Sequence, residues 1–181
     1  FCRNEAGIYS TQKEFEIDAC ARCYNYIPKV FFTEKLRYIG TGLLLNTSNN
    51  ETLFANQTSS ISQTFLSSSL TLKWQQCCKD AIQCCDQFLG HSLNDTQKEF
   101  TSKTQKCSRT WDGWTCWSSD VSKGTEVRQL CPDHIYWHQV IPSCRGYVTK
   151  KCDENGEWFQ VDSKEWSNYS SCARDDKNQL F

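Results

Sequence analysis

Apolar positions between Leu70 and Leu89 fall on one helical face. Trp74, Cys77/Cys78, Ala81, Cys84/Cys85 and Phe88 recur at steps of three and four, which predicts an amphipathic helix over about residues 70–89, with Gly90 as its C-terminal stop. The pattern then changes. His91 to Lys106 is polar, and from 107 to 172 short apolar groups alternate with Asp112-Gly113, Lys123-Gly124, Arg145-Gly146 and Asn155-Gly156. This predicts short antiparallel strands, with Asn155-Gly156 turning a hairpin between Lys151-Cys152 and Trp158-Phe159. The expected class is α+β: a helix packed on two small antiparallel β-sheets, as a three-layer unit. Residues 1–45 form a mixed N-terminal extension in which Ile27-Pro-Lys-Val-Phe-Phe is a short strand or an extended segment. Residues 46–69, dominated by Asn, Ser and Thr, read as a solvated linker. Residues 173–181, with Asp175-Asp176-Lys177, read as an exposed tail.

Composition moves this unit out of the cytosol. The 181 residues include 13 cysteines, and Cys107 to Trp117 alone packs two cysteines and three tryptophans into eleven residues. An oxidised domain uses cross-links to hold aromatic faces that a small core could not. Sequons at Asn46, Asn50, Asn56, Asn94 and Asn168 argue for the secretory pathway. With no methionine, the chain reads as a mature or excised fragment without its signal peptide. No apolar run approaches the ~18 residues of a membrane span. A net charge of −1 gives no reason to expect nucleic acid as a partner.

The helix cysteines cannot satisfy one another. Cys77 and Cys84 are about 10.5 Å apart along the helix axis, beyond the ~7 Å Cα limit of a disulfide, and adjacent cysteines bridge only with strain. Each of Cys77, Cys78, Cys84 and Cys85 should therefore reach a different segment. Cys20-Ala-Arg-Cys23 also has metal-ligand or redox spacing. In a glycosylated chain, structural disulfides are the stronger reading. His91, His134 and His138 have no motif spacing and read as surface or loop residues, so no metal or other cofactor is expected.

The run Trp111-Asp-Gly-Trp-Thr-Cys-Trp117, then Gly124, Cys131-Pro, Lys150-Lys-Cys-Asp-Glu-Asn-Gly-Glu-Trp158 and Trp166-Ser-Asn-Tyr-Ser-Ser-Cys172 resembles the extracellular hormone-receptor domain of class B (secretin-like) G-protein-coupled receptors. Arg109-Thr-Trp-Asp-Gly-Trp, Gly124-Thr-Glu, Gln129-Leu-Cys-Pro-Asp and Val148-Thr-Lys make it most similar to the calcitonin-receptor branch. The resemblance covers about residues 70–172 and leaves 1–69 without a role. It implies the pairs Cys107–Cys152 and Cys131–Cys172, with Cys116 bonded to the helix at Cys84, or Cys85 as the runner-up. Cys144 and the other helix cysteines depart from the family pattern. For these, Cys20 and Cys23 are expected to bridge to the helix and clamp residues 1–45 over it. Cys144 takes the remaining helix cysteine, and Cys2 is left as the odd thiol.

Asp112, a carboxylate among three tryptophans, reads as buried and satisfied by backbone and indole N–H groups and by a cation, not as a catalytic group. The resemblance implies that Lys150 is that cation, with Trp117 and Trp158 packed on its stem and Trp111 in the core. It implies that Gly113 and Trp114 line a groove for the C-terminal half of a peptide hormone. Trp166, Ser167 and Tyr169 would form the shelf for its terminal amide, and Ile135-Tyr136-Trp137 a further aromatic contact segment. The implied ligand is an amidated calcitonin-like peptide. Implied partners are a G protein, reached through a membrane domain outside this sequence, and an accessory membrane protein. The expected location is the extracellular face of the plasma membrane. A secreted decoy or carrier is the alternative, and an adhesion-type structural module is a third reading. No nucleophile–base or metal constellation supports an enzyme.

Overall fold

The computed structural model describes residues 1–92, 105–137 and 141–172. The chain opens with β1 (Arg3–Asn4) and β2 (Gly7–Ile8), followed by α1 (Gln12–Tyr26). Thr11 caps α1: its hydroxyl accepts from Glu14 N, and the Glu14 side chain accepts from Thr11 N, both at 3.2 Å. This capping box satisfies two otherwise orphaned donors. The Thr-x-x-Glu signal was readable, yet no helix was expected here. Next come β3 (Arg37–Gly40), β4 (Leu43–Leu45), β5 (Thr52–Phe54) and the short α2 (Thr58–Ser62). The 25-residue α3 (Ser68–Ser92) follows.

After α3 come β6 (Lys106–Cys107), β7 (Thr110–Trp111), β8 (Cys116–Trp117), β9 (Val121–Ser122), β10 (Glu126–Leu130), β11 (Tyr147–Lys151), β12 (Gln160–Val161) and β13 (Lys164–Glu165). The fold is disulfide-rich α+β, with the strands of the described residues in five small sheets. One of these carries the extension into the rest of the molecule. β1 pairs in parallel with β7 through Asn4 and Trp111, giving the strand order β2-β1-β7-β8.

Four expectations need correction. Gly90 does not stop α3, which runs on to Ser92; an interior glycine costs a helix only about 1 kcal/mol, less than packing supplies. Residues 29–31 form a 3-10 turn and not a strand. Residues 46–69 are not a solvated linker: β5 completes a three-stranded sheet, and Ala55, Ile61 and Phe65 are buried in the main core. His134 is not a surface residue. It is 2 % exposed, with Nδ1 3.2 Å from Asp80 on α3. The side chains of His91 and His138, the Asn94 sequon and the 173–181 tail lie outside the described residues.

The main core joins α1, α3 and the segment between them. Tyr24 packs against Phe32, Phe65 and Trp74 at centroid distances of 4.6, 5.5 and 6.0 Å. The Trp74 indole donates to Cys20 O at 3.1 Å. Covalently, α3 is a spine. Cys2 joins Cys85, Cys20 joins Cys78, Cys23 joins Cys77 and Cys84 joins Cys116. Cys107–Cys152 and Cys131–Cys172 staple the strands.

Two of the expected cysteine roles change. Cys2 is not odd, because β1 pairing on β7 delivers it to Cys85. Cys144 is not bridged: it is the free, exposed cysteine of the described residues, since all four helix thiols are already taken. Replacing Cys144 with serine should therefore shift stability by under ~0.5 kcal/mol, measured by thermal unfolding.

Candidate functional site

Asp112 organises the site. It starts the turn between β7 and β8. Its Oδ1 accepts from Trp114 N at 3.0 Å and Thr115 N at 2.8 Å, so the turn is closed by its own side chain. Its Oδ2 accepts from the Trp117 indole at 2.9 Å and the Ser167 hydroxyl at 2.7 Å. The Tyr169 hydroxyl lies 2.8 Å from Oδ1 and 2.8 Å from Thr115 Oγ1. A half-buried carboxylate with five donors around it is structural glue with no acceptor capacity left for chemistry.

Lys150 is 1 % exposed but does not bond Asp112 directly. Its ammonium donates to Ser167 Oγ at 3.3 Å, and Ser167 in turn donates to Asp112. The ammonium also lies 3.6 Å from Glu165 Oε2 and 5.2 Å from the Trp158 ring centroid. Burial pulls the Lys150 pKa down, against the upward pull of Asp112 and Glu165. Burial and the Asp112 charge push Tyr169 well above its ordinary value, so it stays a hydrogen-bond donor.

Trp111, Trp117 and Trp158 are all buried. Trp166 is 44 % exposed and stands edge-on to Phe159. Trp114 is half-buried between two rings, with centroids 5.0 Å from Tyr169 and 5.7 Å from Tyr26. Gly113 shows why glycine is needed there. Its φ is +104°, and a Cβ would sit 2.6 Å from the Tyr26 ring.

A groove of about 430 Å³ opens between Trp114 and Trp166, with Tyr26, Asp112, Ser167 and Tyr169 also on its lining. Asn168, a sequon residue, sits at this groove as well. Two lining residues, Glu5 and Tyr26, come from the extension; no motif pointed to them, because both lie outside the family-like segment. The Ser167 hydroxyl is spent between Lys150 and Asp112, so a ligand at Ser167 would meet its backbone. The structure does not bring Ile135, Tyr136 or Trp137 to the groove. They are 0, 1 and 7 % exposed and fill cores, with the Tyr136 hydroxyl donating to Cys172 O at 3.1 Å. In the structure they pack into cores and do not line this groove.

The extension and the strand-rich half meet at this groove. Among the described residues three carboxylates line it, those of Glu5, Asp112 and Glu165, and no Lys, Arg or His does. Glu165 is held by Arg3 and Lys150 from behind. Among the described residues no helix is long and apolar enough to cross a membrane.

Comparison with known proteins places the strand-rich half. Residues 104–175 match the model of the hormone receptor domain. The calcitonin gene-related peptide type 1 receptor of Xenopus tropicalis is 38 % identical over 92 residues, covering 50 % of this chain and 17 % of that receptor. The calcitonin receptors of Homo sapiens and Rattus norvegicus are each 47 % identical over 68 residues, covering 36 % of this chain and 13 % and 12 % of theirs. The chain thus spans under a fifth of the length of these relatives.

Proposed function

We propose that the chain is the extracellular ligand-binding part of a calcitonin-like peptide-hormone receptor, holding the amidated C-terminal part of its peptide between Trp114 and Trp166; the match of residues 104–175 to the hormone receptor domain supports this reading. The observation that carries the amide is the lining charge: among the described residues, three carboxylates and no cation. A neutral carboxamide can enter and donate hydrogen bonds, whereas a terminal carboxylate meets like charges, which cost an interface dearly. The two indoles offer wide apolar area with few rotamers to freeze, as anchoring residues do. In this reading the chain sits on the outer face of the plasma membrane, and a G protein is engaged by a membrane domain beyond this sequence. An accessory membrane protein stays a candidate partner.

The test is calorimetric titration of the full chain with a panel of calcitonin-type peptides, each amidated and as the free acid. The amide should bind at least about tenfold tighter, as like-charge repulsion of the acid predicts. Equal affinity for both forms, or no binder in the panel, would overturn the reading. Trp166→Ala should weaken the best amide by about 2 kcal/mol or more with the fold intact, because Trp166 is exposed and supports no core. The same loss for Trp114→Ala would be less clean, since Trp114 also holds Tyr26 and Tyr169.

A further inference from the structure

We infer that the N-terminal extension builds one wall of the groove, and that Glu5 in this wall receives a basic side chain of the ligand. The inference rests on the peptide-binding reading above and adds to it a residue and a ligand charge.

The wall is rigid. The extension is tied to α3 through Cys2, Cys20 and Cys23, pairs its β1 with β7, and sends Arg3 to Glu165. Tyr26, the last residue of α1, is pressed onto Gly113 and Trp114. Its hydroxyl donates to Glu5 Oε1 at 2.5 Å. Glu5 is thereby held in place at the groove, on a covalently fixed element and not on a free terminus.

The three lining carboxylates differ in what they can still accept. Asp112 is surrounded by five donors, and Glu165 is held by Arg3 and Lys150. Glu5 uses only Oε1, for Tyr26 and for Arg22 Nη1 at 3.3 Å. Its Oε2 has no hydrogen-bond or ion-pair partner among the described residues. Arg22 does not cancel the charge, because it is shared with Asp18, to which its Nε donates at 2.8 Å. The side chain of Glu5 is 27 % exposed, open enough to be reached and sheltered enough for a charge pair to matter. A guanidinium or ammonium group suits that oxygen; an acidic side chain would be turned away.

The test needs no knowledge of the hormone. The full chain, labelled with nitrogen-15 at tryptophan, is titrated with N-acetyl-arginine amide, N-acetyl-citrulline amide and N-acetyl-arginine free acid, following the indole N–H signals of Trp114 and Trp166 by NMR. Citrulline keeps the shape of arginine without its charge. The arginine amide should bind about three- to fivefold tighter than the citrulline amide, the scale of a partly exposed ion pair, and Glu5→Gln should erase that difference. Equal binding of the two amides by the native chain overturns the inference whether or not the variant folds, as does a preference that survives Glu5→Gln. If amide and acid bind alike while arginine still beats citrulline, the terminal-amide reading fails and the role of Glu5 stands. No shift from any probe at millimolar concentration overturns both.

Discussion

Reducing the disulfides should unfold the molecule, extension and strand-rich half together, while a strong chelator leaves it intact. Four of the six bridges anchor on α3. Closing a loop of the Cys20–Cys78 size, a separation of 58 residues, removes unfolded-state entropy worth about 4 kcal/mol. The bridges nest, so these increments do not add. Even two of them rival the ~5–15 kcal/mol of net stability usual for a domain. The chelator is harmless because in the oxidised molecule Cys20, Cys23 and all four helix cysteines are consumed as disulfides and are not metal ligands. Near-ultraviolet circular dichroism reads the result directly, since the buried indoles lose their fixed surroundings when the bridges open. A folded signal that survives full reduction, or one that a chelator abolishes, would refute the account.

The second large effect lies in the extension, at Asp18. This carboxylate is 2 % exposed and gathers four donors. Arg22 Nε reaches it at 2.8 Å, Tyr38 OH at 2.6 Å and Gly42 N at 2.8 Å, and the Tyr9 hydroxyl also donates. Gly42 can come so close only because it lacks a Cβ: its φ is +77°, and a Cβ would lie 2.4 Å from Ile17 Cγ2. Asp18→Ala should cost about 3–5 kcal/mol, the scale for leaving a buried charge and its partners unpaired. Burial pulls the Asp18 pKa up, but the hydrogen bonds from Arg22, Tyr38 and Tyr9 and the Arg22 charge outweigh it and hold the pKa below the ordinary value. A depressed carboxylate contributes stability above its unfolded pKa, near ~3.9, and loses it as pH falls through the folded value. Asp18→Asn should accordingly remove part of the acid sensitivity below about pH 4. Urea unfolding from pH 2 to 7 checks this, and parallel pH profiles for the two proteins would contradict it.

Much of the site was legible because its logic is local. Asp112 closes the turn that presents Trp114 through backbone groups two and three residues away, so Trp-Asp-Gly-Trp carries its own geometry. The apolar face of α3 and the crowding of cysteines on it likewise follow from the 3.6-residue period and from the reach of a disulfide. Residues 46–69 were misjudged for the opposite reason. Their sequons and hydroxyls dominate the composition, while the few residues that bury, Ala55, Ile61 and Phe65, are too sparse to show a period.

The sequence by itself determined the chemistry of the molecule: an oxidised, glycosylation-competent α+β fold, a helix that must be cross-linked outward, and a tryptophan-rich turn locked by one carboxylate. Tertiary structure alone decided what those parts are joined to. Which helix thiol meets Cys2, why Cys144 stays free, why Ile135, Tyr136 and Trp137 turn into the core and why Tyr26 and Glu5 reach the groove all depend on contacts between distant segments. Such contacts leave no periodicity in the chain; they arise only when the main core brings α1 against α3 and, through β1 on β7, against the Trp114 turn.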